Sequence, residues 1–385
     1  MSDRAAERSA GRATDLLVAG NAVRYLSESA SRAGYRVTAV DAYADLDTRA
    51  AARHVTRLAP CRPETLCDAV LENAERCAPA VGARPLLLLG AGLEGRPDLV
   101  AQLARRCTLL GNPAAVWALQ ADPSRFLALL DALDIPYPET RRMRPAGASE
   151  WLYKVPGNCG GNGVYGATGA EPPATGGYWQ RRVSGPALSV TFAAAAGRVR
   201  VLGFNRLHKV ATAGRPFLYG GAVNRMALPA MQREPILTYV SRLARALQLV
   251  GVNGLDLVLD DGQPLVLELN PRPVATLELY EPDLPQGGAV LHLQACAGEL
   301  PERQMSGARV RGVRVLYARV GGRVPAFPWP DWARDRPAPG TTYQAGDPLC
   351  SVHAEAATET RVRDRLAERT AELRRRFAVD VEVAA

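Results

Sequence analysis

Short apolar runs alternate with amphipathic segments along the first part of the chain. Apolar runs of about four to eight residues between turn signals are typical of buried strands, and apolar residues spaced three and four positions apart are typical of helices that face a core. The alternation begins as strand, helix, strand. It predicts an open α/β sheet built from Asp15–Gly20, Ala22–Ala33, Tyr35–Asp41, Glu64–Cys77, Pro85–Leu89 and Pro97–Arg106.

The end of the first strand argues against a dinucleotide site in this sheet. A dinucleotide-binding sheet carries Gly-x-Gly-x-x-Gly between its first strand and first helix. Only Gly20 is present, although the acidic Asp41 ends the second strand. We therefore predict that this sheet does not bind such a cofactor.

Beyond residue 111 the pattern changes to strands with few helices. Gly111–Pro113 is a predicted turn before a helix over Pro123–Leu133. Two strands flank the Asp260-Asp261-Gly262 turn and predict a hairpin. The remaining predicted elements are the strands Gly177–Val183, Ala187–Ala195, Arg198–Arg206, Val252–Leu259, Leu265–Leu269 and Val313–Val320, and the helices Pro235–Leu249 and Glu359–Phe377.

Lysine is confined to two positions, although the chain contains 47 basic residues. Lys154 and Lys209 are the exceptions among arginines. A planar guanidinium does not replace a compact ammonium that binds among phosphate oxygens as a point charge. Lys154 ends a strand-like run before the glycine-rich loop Gly157–Gly163, which favours a phosphate cradle. Survival of two lysines by chance in an arginine-rich composition is the alternative.

The predicted hairpin carries three oxygen ligands. Asp256 lies on its first strand, and Glu268 and Asn270 lie two positions apart on its second strand. Alternate positions of a strand share a face, so these side chains can converge across the ladder. Carboxylate and amide oxygens are hard donors that suit Mg²⁺. Exposed acids on an ordinary hairpin are the alternative.

These motifs together resemble the ATP-grasp superfamily of ligases. The resemblance rests on their order: Lys154 with its glycine-rich loop, then Gln180-Arg-Arg-Val-Ser-Gly185, then Asp256, then Glu268-Leu-Asn-Pro-Arg-Pro273. It extends over most of the chain and implies an α/β fold with an α+β ATP-grasp domain. The implied units are an N-terminal Rossmann-like pre-ATP-grasp domain (1–111), a two-lobed ATP-grasp domain (112–305) and a small C-terminal subdomain (306–385).

The resemblance implies ATP and Mg²⁺ as cofactors, with Mn²⁺ as an alternative ion. Lys154 would contact the phosphates under a flexible lid, and a strand would hold adenine through its backbone. The lid amides would be those of Gly160, Gly161 and Gly163, and the strand residues Gln180, Arg181, Arg182 and Val183.

The resemblance also implies the metal ligands and catalytic groups. Asp256, Glu268 and Asn270 would bind one or two magnesium ions. Arg272 would stabilise the transferring phosphoryl group and the acyl phosphate. Lys209 falls where related enzymes place cationic groups near the acceptor substrate.

Two positions depart from the superfamily pattern. Ser184 stands where an acidic residue usually binds the ribose, and Pro123 stands where a second lysine often follows. The ribose contacts are therefore open, with Arg125 or a neighbouring acid as possible substitutes.

Composition limits the remaining classes of protein. Seven scattered cysteines without a Cys-x-x-Cys pair predict reduced thiols and no structural zinc site. Residues 1–12 lack the apolar core of a signal peptide, and no apolar run is long enough to cross a bilayer, so we expect a cytoplasmic protein that does not contact a membrane. The net charge of +8 is spread along the chain and interleaved with acids, which does not require a nucleic acid.

The leading hypothesis is an ATP-dependent carboxylate–amine ligase with small-molecule substrates. By resemblance only, it would add a glutamate-like group in the biosynthesis of a methanofuran- or tetrahydromethanopterin-type one-carbon carrier. A bicarbonate-activating carboxylase is the first alternative. A basic nucleic-acid-binding protein, with Arg374–Arg376 as its footprint, is the second. A homodimer and a monomer are both open.

Overall fold

The computed structural model describes residues 14–78, 83–166, 176–212, 215–302 and 307–378. Residues 1–12, predicted to be a frayed start without a signal peptide, lie outside this part of the chain. The strands are β1 Asp15–Gly20, β2 Arg36–Asp41, β3 His54–Arg57, β4 Leu86–Leu89, β5 Thr108–Leu109, β6 Thr140–Arg141, β7 Trp151–Lys154, β8 Val164–Gly166, β9 Tyr178–Arg181, β10 Ala187–Ala195, β11 Arg198–Thr212, β12 Arg215–Val223, β13 Gly251–Asp260, β14 Gln263–Asn270, β15 Val310–Tyr317, β16 Gly322–Arg323, β17 Ala333–Arg334, β18 Thr342–Tyr343 and β19 Pro348–Ala356.

The α-helices are α1 Arg24–Arg32, α2 Leu46–Ala51, α3 Pro63–Cys77, α4 Pro97–Arg106, α5 Ala114–Ala121, α6 Pro123–Ala132, α7 Ala230–Ala246, α8 Gly288–Cys296 and α9 Glu359–Ala378. Two 3-10 helices span Ala148–Glu150 and Ala275–Asp283. Within the described residues, no helix combines the length and the apolar character that crossing a membrane requires.

The N-terminal elements form the α/β sheet that the apolar pattern predicts. Its five strands are parallel, in the order β3-β2-β1-β4-β5. One face packs on α3 and α4 through residues such as Leu17, Leu87 and Val70. The other face packs through Leu16 onto Leu277 and neighbours from much later in the chain. This second contact packs the N-terminal sheet against the rest of the molecule.

Asp41 has a structural task in this sheet. Its carboxylate accepts hydrogen bonds from the backbone N–H of Val23 (2.7 Å), Tyr43 (2.7 Å) and Ala44 (2.6 Å). These bonds fix the ends of β2 and the start of α1. Both oxygens of the Asp41 carboxylate therefore accept hydrogen bonds from the protein backbone.

An eight-stranded sheet forms the centre of the molecule, in the order β14-β13-β10-β11-β12-β15-β19-β17. Helices α6 and α7 contribute Leu130, Ile236, Val240 and Leu243 to a core against the strands. The hairpin β13–β14 occupies one edge, and β15, β17 and β19 continue the sheet at the other end. A smaller four-stranded sheet, β6-β9-β7-β8, carries the glycine-rich loop between β7 and β8.

Several elements differ from the sequence predictions, and two of these differences have a clear physical reason. The helix predicted over Pro235–Leu249 spans Ala230–Ala246, with Pro235 inside it. The predicted helix began at Pro235, and a proline is common in the first turn of a helix because its missing N–H needs no partner there. The strand β12 (Arg215–Val223) has no counterpart among the predicted elements, because its glycines and mixed polarity weaken the strand pattern.

The arginine-rich helix α9 packs on the last strands of the large sheet. Arg376 pairs with Glu372 (2.5 Å), and Arg365 donates to the backbone oxygen of Glu355 (2.5 Å). The guanidinium groups of Arg369 and Arg376 lie over the rings of Trp332 and Phe327. These contacts give Arg365, Arg369 and Arg376 partners within the chain.

Candidate functional site

The predicted oxygen ligands converge at the edge hairpin. Asp256 on β13 lies directly opposite Glu268 on β14, and Asn270 lies opposite Gly254. A bulge after Asp256 shifts the register and turns this end of the hairpin. The amide of Asn270 donates to Asp256 Oδ2 at 3.3 Å. The hairpin therefore places two carboxylates and one amide on one face.

Burial makes these two carboxylates costly in the free protein. It raises the pKa of Asp256, although the charges of Arg272 and Lys154 oppose the rise. It also raises the pKa of Glu268, and the like charge of Asp256 adds to the rise. The main cause of both shifts is burial, which favours the neutral form of each acid.

A divalent cation fits this donor set. It would relieve the repulsion between Asp256 and Glu268, and the oxygen donors are those that Mg²⁺ prefers. Within the described ranges, no group of three or more His, Cys, Asp and Glu side chains is placed to hold a metal ion. Two carboxylates and an amide suit an ion that takes its other ligands from water and phosphate.

Lys154 lies beside these carboxylates. Its Nζ donates to Gln180 Oε1 at 2.6 Å, and the amide of Gln180 donates in turn to Thr140 Oγ1 at 3.2 Å. Burial lowers the pKa of Lys154 to about 8, against the opposing charge of Glu268. The resemblance assigned the backbone of Gln180 to adenine binding, and its side chain orients the ammonium group of Lys154.

Lys209 is the second cation near the site. It lies on β11, and its Nζ is 5.8 Å from the centre of the Phe217 ring. The surrounding protein lowers the pKa of Lys209, and the charge of Arg182 lowers it further. The charge of Lys209 also lowers the pKa of Lys154, so the two sequence-selected lysines share one region.

Arg272 is buried at the same site, with an exposed fraction of 8%. Its Nη2 donates to Asn270 Oδ1 at 3.2 Å, and its Nε donates to Glu94 Oε1 at 2.8 Å. Burial acts to lower the pKa of Arg272, but the charges of Glu94, Cys159 and Glu268 outweigh it and raise the pKa. The guanidinium is therefore a permanent positive charge among the carboxylates.

The glycine-rich loop lies closed against three neighbouring segments. The N–H of Gly157 donates to Gln120 O (3.1 Å), and the oxygen of Gly160 accepts from the N–H of Tyr219 (2.8 Å). Gly157 has φ of +72°, and a Cβ there would lie 2.3 Å from Gly95 Cα. At Gly161 a Cβ would lie 1.9 Å from Phe217 O. Glycine at these positions permits both the backbone conformation and the contact.

We expect Gly157→Ala to raise KM for ATP about tenfold in a folded protein. The added methyl would collide with Gly95 and keep the loop from closing, so a ligand under the loop would be held more weakly. Steady-state kinetics with ATP varied measure this effect.

Gly147→Ala is the matched control for Gly157→Ala. Gly147 has a similar φ of +70°, but a Cβ there would meet no atom within 4 Å. The control should keep the wild-type KM for ATP. An equal KM in both variants would contradict the role assigned to the Gly157–Gly95 contact.

The segment predicted to hold adenine lies at the end of β9. The N–H groups of Arg181 and Arg182 donate to the backbone oxygens of Glu139 (2.8 Å) and Glu150 (2.7 Å). Both arginine side chains are exposed, as is Ser184, whereas Val183 is half-buried. These two backbone donors are therefore already used within the small sheet.

Sequence reasoning missed two side chains that contact the site. Glu94, in the loop between β4 and α4, pairs with Arg272, and Gln120 at the end of α5 donates to Glu268 Oε1 at 3.4 Å. Glu94 does follow the carboxyl end of a parallel strand, where ligand sites of α/β sheets gather. Gln120 carries no comparable signal.

Comparison with known protein families matches residues 122–276 to an ATP-grasp domain. No curated protein matches the chain at a significant level. The matched residues contain Lys154, the glycine-rich loop, and the hairpin with Asp256, Glu268 and Asn270.

Solved structures share the fold over almost the whole chain. The biotin carboxylase domain of Hydrogenobacter thermophilus 2-oxoglutarate carboxylase has a TM-score of 0.71 at 14% identity, covering 91% of this chain and 88% of that one. L-amino acid ligase from Bacillus licheniformis has a TM-score of 0.68 at 16% identity, covering 93% and 97%. N5-carboxyaminoimidazole ribonucleotide synthetase has a TM-score of 0.66 at 12% identity, covering 94% and 96%. Residues 122–276 thus match the model of an ATP-grasp domain, and the chain as a whole shares its fold with these three enzymes.

Proposed function

We propose that the protein is an ATP-dependent carboxylate–amine ligase, which forms an amide through an acyl phosphate and releases ADP and phosphate. The observation that carries the proposal is the convergence of Asp256, Glu268, Lys154 and Arg272 at one buried site of an ATP-grasp domain. Two carboxylates suited to a metal ion and two cations suited to phosphate match the charge pattern of a metal nucleotide.

The ligands are assigned from their donor chemistry. Asp256, Glu268 and Asn270 would hold Mg²⁺, with Mn²⁺ as an alternative, and the bound ion would neutralise charge on the nucleotide phosphates. Lys154 would bind a phosphate oxygen, and the amides of Gly160, Gly161 and Gly163 would close over the phosphates. The backbone of Gln180–Val183 would hold the adenine, through groups other than the N–H of Arg181 and Arg182.

The reaction has two balanced steps. An oxygen of the substrate carboxylate attacks the γ-phosphorus, the bond between that phosphorus and the bridging oxygen breaks, and ADP leaves. The amine nitrogen then attacks the acyl carbon, phosphate leaves with its bonding pair, and the nitrogen loses a proton to water. Arg272 lies beside the metal-ligand face and would stabilise the charge of the phosphoryl group in the first step and of the leaving phosphate in the second.

The closed glycine-rich loop would exclude water during these steps. An acyl phosphate is hydrolysed readily, so the loop contacts with Gly95 and Phe217 would protect it until the amine attacks. This need for protection favours a role for the N-terminal unit in catalysis as well as in folding.

A bicarbonate-activating carboxylase is the second candidate. It is supported by the likeness to the Hydrogenobacter thermophilus biotin carboxylase domain, whose structure contains MgADP and bicarbonate. The likeness to an L-amino acid ligase of similar TM-score supports the first candidate instead. A glutamate-like donor for a methanofuran- or tetrahydromethanopterin-type carrier, and a cytoplasmic location, stay predictions of the sequence.

The decisive experiment measures ADP release by the purified full-length chain with pairs of carboxylates and amines, glutamate included. We expect ADP release that requires both substrates, with one amide formed per ADP and detected by mass. With a carboxylate labelled with ¹⁸O, one labelled oxygen should appear in the released phosphate. ADP release that needs bicarbonate and no amine would establish the carboxylase instead.

We expect Lys209→Arg to raise KM for the acceptor about fivefold and to leave KM for ATP within about twofold. The wider guanidinium would displace the compact charge beside Phe217 and Arg182, on the side assigned to the acceptor. Arg198→Lys, an exposed exchange on the same strand, is the control and should change neither constant. A larger rise for ATP than for the acceptor would reassign Lys209 to the nucleotide.

A further inference from the structure

Glu94 joins the N-terminal sheet to the candidate catalytic arginine. Its side chain is 2% exposed, and its partner Arg272 lies 178 positions later in the chain. The Nε and Nη2 atoms of Arg272 both approach Glu94 Oε1, at 2.8 and 2.5 Å. A carboxylate that contacts two nitrogens of a guanidinium fixes the plane of the guanidinium as well as its position.

The other half of the carboxylate is held by the backbone. Glu94 Oε2 accepts a hydrogen bond from the N–H of Gly92 at 2.7 Å. Both carboxylate oxygens are thus engaged, one by the loop that carries the residue and one by Arg272. The acid cannot rotate without losing one of these bonds, so it is a rigid support.

The remaining contacts of Arg272 identify the edge that stays available. Nη2 also donates to Asn270 Oδ1, but among the residues that the structure describes, Nη1 has only a long contact of 3.4 Å to the oxygen of Pro273. The guanidinium has five N–H donors, and the two on Nη1 are the least engaged. The contact with Glu94 occupies Nε and Nη2 of Arg272, and it therefore leaves Nη1 available to bind a ligand.

We propose that Glu94 is a positioning residue, which holds Arg272 with its Nη1 edge toward the transferring phosphoryl group. The proposal rests on the proposed function, and it assigns to the N-terminal unit a direct part in the reaction. Gly95, the next residue, contacts the glycine-rich loop at Gly157, so one short segment touches both the arginine and the lid.

The test uses Glu94→Gln in the full-length chain. Glutamine has one oxygen where two are needed, so either Arg272 or Gly92 loses its acceptor. We expect kcat to fall about fivefold, with KM for ATP and the affinity for MgADP within about twofold of the wild type. Glu94→Asp keeps the charge and should retain more activity, and it replaces Glu94→Gln as the test variant if the latter does not fold.

A double-mutant cycle separates positioning from a general structural effect. If Glu94 acts through Arg272, Glu94→Gln should change kcat by less than about twofold in an Arg272→Ala background. The matched control is Asp47→Asn, which removes another buried carboxylate of the N-terminal unit that pairs with a distant arginine, Arg336. The control should keep the wild-type kcat.

Three results would overturn the positioning proposal: an unchanged kcat in Glu94→Gln, an equal loss with and without Arg272, or an equal loss in Asp47→Asn. All are read from ADP release with whichever acceptor the wild type uses. Absence of an amide product in the wild type would instead overturn the ligase assignment, so the two failures are distinguishable.

Discussion

Glu268→Gln is expected to lower ATP turnover by at least about a hundredfold and to leave the nucleotide-free protein as stable as the wild type or more stable. The loss follows because the variant lacks one of the two carboxylates that would hold the metal ion. The stability follows because Glu268 faces Asp256 directly across the hairpin, and burial raises the pKa of both acids.

The sign of the pH dependence is fixed by these shifts. A carboxyl whose pKa is raised on folding binds more protons in the folded than in the unfolded state, so its ionisation destabilises the fold as pH rises. The gain in the melting temperature of Glu268→Gln should therefore be larger at pH 8 than at pH 5. Addition of MgADP should stabilise the wild type at pH 8 and have little effect on the variant.

The control for this prediction lies on the same hairpin. Asp260 is an exposed acid at the far end of β13, and Asp260→Asn should keep both turnover and the response to MgADP. Asp256→Asn should behave like Glu268→Gln. Magnesium-dependent ADP production near the wild-type rate in either of these two variants would show that the metal ion binds elsewhere.

The hairpin was predictable because its information is local. Asp256, Glu268 and Asn270 stand on two strands joined by a short turn, so spacing alone brings their side chains to one face. The structure also contains a bulge after Asp256, which the pattern of apolar and polar residues does not predict. The two lysines were selected because lysine is rare in this chain, and Lys154 also because it precedes the glycine-rich loop. In the structure, the charge of Lys209 lowers the pKa of Lys154.

The contacts across units were not predictable from spacing. Glu94 meets Arg272 only because the N-terminal sheet packs through Leu16 and Leu277 onto the central part of the molecule. Such docking depends on the shapes of whole surfaces, which a one-dimensional pattern does not encode. The side-chain role of Gln180 was missed for a different reason: its partner Lys154 lies on the adjacent strand of the small sheet, and the sequence pattern does not give the pairing of those strands. The division at residues 111 and 305 stays a prediction.

Lys154→Arg is expected to fold and to lose at least about tenfold in kcat/KM for ATP, which corresponds to about 1.4 kcal/mol of transition-state stabilisation. The ammonium lies 2.6 Å from Gln180 Oε1, on a half-buried side chain whose pKa is influenced by the charge of Glu268. A forked guanidinium is wider than an ammonium group and presents its charge over a plane instead of a point. It should therefore keep the charge of the site but lose the fit to a phosphate oxygen.

The comparison with surface exchanges makes this test specific. Arg375 is exposed on α9, and Arg375→Lys should leave turnover unchanged, which shows that Arg and Lys are interchangeable where water surrounds them. Gln180→Leu should reproduce part of the loss seen in Lys154→Arg, because it removes the oxygen that orients Nζ. Both substrates are varied in steady-state kinetics of the three variants. Wild-type activity in Lys154→Arg would mean that lysine at this position has no role that arginine cannot fill, and the phosphate cradle would then have to be placed elsewhere in the site.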